Sequence, residues 1–284
     1  MTDRRELWSN GRVAHISLEK TAEADSFVAG EDNSVIFTPV AAIRDTPFGK
    51  IERQLLTGAR FCVLEVKDGW AFGFSPGNSY TGYIERQMLK PTTQPATHVV
   101  RNRLTMALNK PDFKTRTEEV LLSIGTQLAV GDDDGSWSRV VTFSHDMYVP
   151  TRHLRPIASF DTDPVAVAED LLGTPYVWGG NSAIGIDCSG LVQLACDLCG
   201  IPCPGDSDQQ AKALGKTLPP DTPPKRGDIL FWKGHVGWVS DPDTLLHANA
   251  HHMAVAFEPL NDAIARINAQ GDGPVIRHAR LTRR

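Results

Sequence analysis

No stretch of this 284-residue chain approaches the roughly 18 consecutive apolar residues that a membrane-spanning helix requires. Its N-terminus, MTDRRELWSNGRVAHIS, has charge but neither a continuous apolar core nor a small-residue cleavage pattern, so no export signal is read and a cytoplasmic location is expected. Positive charge is not in excess: 29 Lys and Arg against 34 Asp and Glu leave a formal charge of −5. A phosphate backbone calls for a concentrated Lys/Arg face, so neither a nucleic-acid partner nor a polybasic membrane contact is expected. Cysteine is scarce and odd in number. Of Cys62, Cys188, Cys196, Cys199 and Cys203, four fall within 16 residues. So few cysteines in a chain of this length do not make a disulfide framework, and a reducing compartment suits a thiol nucleophile.

What is present points first to Cys188. Residues 173–190, GTPYVWGGNSAIGIDCSG, form a Gly/Asn-rich turn leading to Asp187, a good N-cap. After it Leu191, Val192, Ala195 and Leu198 recur at helical spacing. Cys188 then occupies the first helical position, where unpaired N–H groups and the helix dipole favour a thiolate. A base follows downstream. Ile229 to Trp232 is a short apolar run, the segment from His235 to Val239 reads as its hairpin partner, and residues 245–250 read as a further strand. Adjacent antiparallel strands place His235 beside His247, giving a Cys-His pair with a third polar group to orient the imidazole. Cys196-x-x-Cys199 with Cys203 also admits a metal reading, with His251 and His252 as distant donors. Against it, Cys196 and Cys199 fall inside the predicted helix, where small buried residues pack, so no metal is assigned.

Upstream lies a repeat. Gly58 is followed by Phe61, Val63 and Trp70 at offsets that recur from Gly125 to Leu128, Val130 and Trp137. Short alternating strands at this spacing predict two small β-barrels over residues 34–92 and 96–156, with Ile84 and Val149 on their closing strands. Residues 1–33 read as an extension whose Trp8, Val13 and Ile16 seek apolar contact.

Four motifs in order carry a resemblance: PYVWGG at 175–180, DCSG at 187–190, RGDIL at 226–230 and HVG at 235–237. Residues 164–260 resemble the NlpC/P60 family of papain-like cysteine peptidases. The resemblance implies an α+β catalytic domain over 160–284, with Cys188 as nucleophile, His235 as base and His247 as the orienting residue. Tyr176 matches a tyrosine whose hydroxyl assists the oxyanion, and Asp187 and Ser189 match a pair lining the substrate groove. The repeats resemble bacterial SH3-like domains, the first of which closes one end of the groove in family members that act on short wall peptides. The implied reaction is hydrolysis of the γ-D-glutamyl to L-diamino acid (meso-diaminopimelate or lysine) amide in a short muropeptide with free L-alanine, without cofactor or obligate protein partner. Ala59 stands where relatives often carry a glutamate for the substrate ammonium. Tyr80, Tyr83 and Glu85 are the candidates to replace it, with barrel packing as the alternative for the tyrosines. Three other readings stay open: a different cysteine amidase or acyltransferase, a noncatalytic module binding wall fragments, and a metal protein built on the cysteine cluster.

Overall fold

A computed structural model describes residues 3–282 except 93 and 144, with the side chain of Asn33 also left aside. The chain divides into two compact units, Met1–Ser159 and Phe160–Arg284, each with its own core.

The repeat organises the first unit. Gly58 and Gly125 take φ of +82° and +86°, a region open to glycine at little steric cost. Beyond them, Arg60–Lys67 turns into Trp70–Phe74, and Val130–Asp133 turns into Trp137–Val140. Both repeats end alike. Thr81–Glu85, a 3₁₀ turn at Arg86–Met88 and Leu89–Pro91 correspond to Met147–Pro150, a 3₁₀ turn at Thr151–His153 and Leu154–Pro156. Ile84 and Val149 are fully buried on these closing strands.

The two expected SH3-like β-barrels are not formed. One seven-stranded sheet, which includes the strands of the first repeat, has Ile51–Leu56 and Leu89–Pro91 at opposite edges, unpaired with each other. Strands of the second repeat are shared between a five-stranded and a three-stranded sheet. Barrel closure requires the outermost strands to meet in register, and among the described residues no sheet closes or curls strongly enough for that. Cover comes instead from the N-terminal segment. Trp8 stacks on Phe74 with centroids 4.1 Å apart, and Val13 packs with Cys62, Leu64 and Phe72, while Ile16 stays exposed. Strand Trp70–Phe74 is therefore buried along its whole length. Alternating apolar residues showed which face is covered, not what covers it. The strand Glu31–Ile36 joins this sheet, so the folded region begins before residue 34.

The second unit is α+β. Its helices are α1 (Pro164–Glu169), α2 (Cys188–Leu198), α3 (Ser207–Ala213) and α4 (Leu260–Ile267). Its main strands are β1 (Lys216–Thr217), β2 (Asp228–Trp232), β3 (His235–Asp241), β4 (Thr244–Asn249), β5 (Ala254–Pro259) and β6 (Arg277–Arg280), paired antiparallel in the order β1-β6-β2-β3-β4-β5. Every residue of α2 except Asp197 is buried, as befits a core helix whose only charged residue is the exposed Asp197. It packs on β3 and β4. The Arg226 guanidinium joins α1 to the turn before β2, donating to both oxygens of Glu169 at 2.7 and 2.9 Å and to Asp163 at 2.9 Å. Fully buried Asp228 is compensated by Arg280 at 2.6 and 2.8 Å and by His278 at 2.8 Å. Among the described residues no helix is long and apolar enough to cross a membrane.

Candidate active site

The nucleophile turn is built around one carboxylate. Asp187 caps α2 by accepting from the backbone N–H of Gly190 at 2.6 Å through Oδ1, which also accepts from the Ser189 hydroxyl at 3.0 Å. Its Oδ2 accepts from the N–H of Gly179 at 2.9 Å. One buried side chain thereby ties the glycine turn to the helix start and fixes Cys188 between them at the first helical position. Gln210 on α3 braces the same turn from below, its Nε2 donating to the Ser189 carbonyl at 2.9 Å and the Pro204 carbonyl at 3.0 Å. Tyr176 is placed by its backbone. Its N–H donates to the Met253 carbonyl at 2.9 Å and it bridges to Ile186, beside Asp187. The Tyr176 side chain is half-buried.

The two histidines stand side by side on β3 and β4. His235 Nε2 and His247 Nδ1 are 2.8 Å apart, in rings whose centroids lie 5.1 Å apart. A Cβ at Gly237 would sit 3.1 Å from His247 Cβ, tighter than ordinary packing, so the glycine of the HVG motif makes room for the second ring. Behind His247 the chain of contacts continues: its Nε2 lies 3.0 Å from Glu258 Oε2 on β5. Arg266 of α4 grips that carboxylate from the far side, Nε to Oε1 at 2.8 Å and Nη2 to Oε2 at 2.6 Å.

These neighbours set the charges. The Arg266 hydrogen bonds pull Glu258 down to about 2, so it is a carboxylate at any ordinary pH. Burial pushes His247 well below its usual value, with His235 adding to the effect, and burial with the Arg266 charge lowers His235 in the same way. Both imidazoles are neutral at pH 7. His235, half-buried with Nε2 committed to His247, has Nδ1 as the nitrogen that can exchange a proton with a reacting group.

The NlpC/P60 family profile matches residues 173–268, and a profile described as a bacterial dipeptidyl-peptidase Sh3 domain matches residues 43–89. A gamma-D-glutamyl-L-lysine dipeptidyl-peptidase of Bacillus subtilis is 26% identical over 75% of this chain and 77% of its own. Dipeptidyl-peptidase 6 of Lysinibacillus sphaericus is 27% identical over 81% of this chain and 92% of its own. The crystal structure of an NlpC/P60 family protein from Bacillus cereus superposes with a TM-score of 0.74 at 18% identity, covering 87% of this chain and 99% of that one, a likeness of fold. Residues 173–268 match the NlpC/P60 family, and the chain is a cysteine peptidase of that type. It carries one SH3-like region, the segment at 43–89.

Within this NlpC/P60 domain, sequence reasoning missed Glu258 and Arg266. The signal was present only as an acidic residue two positions beyond Ala256, the residue opposite His247, which puts Glu258 diagonally across the strand pair from that histidine, and it could not be read without that register. His247, His252 and Glu258 also bring ligand atoms within 4.8 Å of one another. A cation there would meet the Arg266 guanidinium, already 2.6 Å from the same carboxylate oxygen, so these donors suit a hydrogen-bond relay and not a metal. The helix ends one residue before Cys199, which is its C-cap and not, as expected, an interior position.

The remaining candidates lie in the first unit. Tyr80 is a core residue, 2% exposed, with the Arg53 guanidinium 5.9 Å from its ring centre. Tyr83 packs on Phe72 and its hydroxyl accepts from Asn10 at 3.3 Å. Glu85 accepts from Gln87 at 2.7 Å and borders an open groove of about 810 Å³ with Phe48, Trp70 and Arg86.

Proposed function

We propose that the protein hydrolyses the amide between the γ-carboxyl of D-glutamate and an L-diamino acid in short muropeptides carrying a free N-terminal L-alanine. The observation that carries this reading is the capped Cys188 at the start of a helix packed on the two strands that pair His235 with His247. The bond type and the free amino end are taken from the names of the relatives, gamma-D-glutamyl-L-lysine dipeptidyl-peptidase and dipeptidyl-peptidase 6.

In this reading Cys188 Sγ bonds to the amide carbonyl carbon as its proton passes to His235 Nδ1. The tetrahedral oxyanion is met by the Cys188 backbone N–H and the Tyr176 hydroxyl. The C–N bond then breaks, and His235 gives its proton to the departing amine. Water attacks the thioester carbonyl, surrendering a proton to His235, and the sulfur leaves and recovers that proton. Asp187 and Ser189 border the acyl side of the cleaved bond. The test is kcat/KM for L-Ala-γ-D-Glu-diaminopimelate against its N-acetylated form and against intact wall. Strong preference for the free end is expected. Equal rates on free and blocked ends would remove the amine-selection part of this reading.

A further inference from the structure

A carboxylate and a guanidinium lie behind the histidine pair, Glu258 beside His247 Nε2 and Arg266 beside Glu258. Glu258 is 7% exposed and His247 fully buried, so neither can be satisfied by bulk water. An ionised carboxylate only accepts hydrogen bonds. Glu258 Oε2, with the Arg266 Nη2 donor at 2.6 Å, therefore requires the proton of the 3.0 Å contact to sit on His247 Nε2. Because His247 is neutral, its Nδ1 is then a bare lone pair. The 2.8 Å contact from His235 Nε2 must place its proton on His235. His235, neutral in turn, is left with an unprotonated Nδ1. Each link admits one tautomer once Glu258 is charged.

We propose that Glu258, clamped by Arg266, is a positioning residue that fixes the tautomers of both histidines and so presents the His235 Nδ1 lone pair as the catalytic base. The inference rests on the reading of His235 as base given above, but its first readout does not depend on turnover. Its charge also matters when His235 takes up a proton. Groups whose charge reaches the histidines are Glu258 from β5, Arg266 from α4, Asp272 beyond α4, and Asp187 at the start of α2, which bear on His235, with Glu258 and Arg266 also bearing on His247. Glu258 favours the protonated imidazole and Arg266 opposes it.

The experiment uses the full chain with 15N-labelled histidine, as wild type, Glu258→Gln and Arg266→Gln, the last kept because Arg266 is partly exposed and its removal leaves a buried carboxylate still bonded to His247. In wild type, both Nε2 atoms are expected to be of the proton-bearing type and both Nδ1 atoms of the lone-pair type. In Glu258→Gln the amide can donate as well as accept, so His247 and His235 should show mixed tautomers. On the L-Ala-γ-D-Glu-diaminopimelate substrate, kcat should fall about 10- to 100-fold, as for other outer hydrogen-bond partners of a functional histidine, with KM changed less than about 3-fold. The acidic limb of kcat/KM should move to lower pH in Glu258→Gln, where Arg266 is left unopposed, and to higher pH in Arg266→Gln. Mere loosening of the site would admit water and move both limbs upward together. Unchanged histidine tautomers in Glu258→Gln, or both limbs moving upward, would overturn the proposal. Altered tautomers with undiminished kcat would leave Glu258 as the tautomer-setting group while removing His235 as the base.

Discussion

Replacing Asp187 by alanine removes the carboxylate that ties the glycine turn to the start of α2, and the cost follows from its two backbone donors. Loss of the N-cap bond to Gly190, 2.6 Å in the structure, costs about 0.5–2 kcal/mol. The Gly179 N–H, buried at 2.9 Å from Oδ2, is left without its acceptor, adding about 1–3 kcal/mol. Asp187→Ala should therefore destabilise the second unit by roughly 1.5–5 kcal/mol. Asp187→Asn separates the two contributions. Its oxygen can still cap Gly190, while its NH₂ faces the Gly179 N–H donor to donor, so only the second cost, about 1–3 kcal/mol, should remain. Because the chain has two units, the loss is best read as hydrogen exchange of α2 amides, which reports on the second unit alone. Activity should fall with stability, since the same turn positions Cys188. The reasoning is refuted if alanine costs less than about 1 kcal/mol, the size of a single exposed cap, or if asparagine destabilises more than alanine.

Two further outcomes follow from the structure. Gly58→Ala should destabilise the first unit by more than about 2 kcal/mol, since φ is +82° and the new Cβ would lie 1.8 Å from the Gln127 carbonyl oxygen; Gly69→Ala, with φ of +81° and open space around it, should cost clearly less, and equal melting temperatures for the two would contradict the clash. Stability should fall as pH drops below 6.5. His247 is held down to about 3 in the fold, so the unfolded chain alone takes up that proton between these values, giving a slope of about 1.4 kcal/mol per pH unit that is absent in His247→Gln. Denaturant midpoints measured between pH 4.5 and 7 check the sign, and a wild-type slope no steeper than that of the variant would contradict it.

The parts of the site that were legible in the sequence were those that announce themselves locally. Asp187 followed by an apolar helical period is a cap wherever it occurs, and two histidines on strands 12 positions apart are brought together by ordinary antiparallel pairing. Glu258 and Arg266 had no such marker. Their role depends on the pairing of β4 with β5 and on the side of that sheet to which α4 returns, and neither is encoded in a short window. The same limit explains the barrels. Repeated glycine and tryptophan positions marked the hairpins correctly, but closure depends on whether edge strands meet, and the N-terminal segment that covers Phe72 and Phe74 had shown only three apolar residues in search of a partner. The Arg226 and Asp228 of the RGD motif proved to be joints of the scaffold, holding α1 and the end of β6.

The central claim is that Cys188 is the nucleophile of a cysteine peptidase. Its most direct test is kcat/KM of Cys188→Ala on L-Ala-γ-D-Glu-diaminopimelate, measured with protein whose melting temperature matches wild type, alongside Cys196→Ala and Cys203→Ala as controls. The account predicts that turnover disappears in Cys188→Ala alone while the fold is retained. Hydrolysis that survives the loss of Cys188, or that is abolished instead at another cysteine with Cys188 intact, would contradict it.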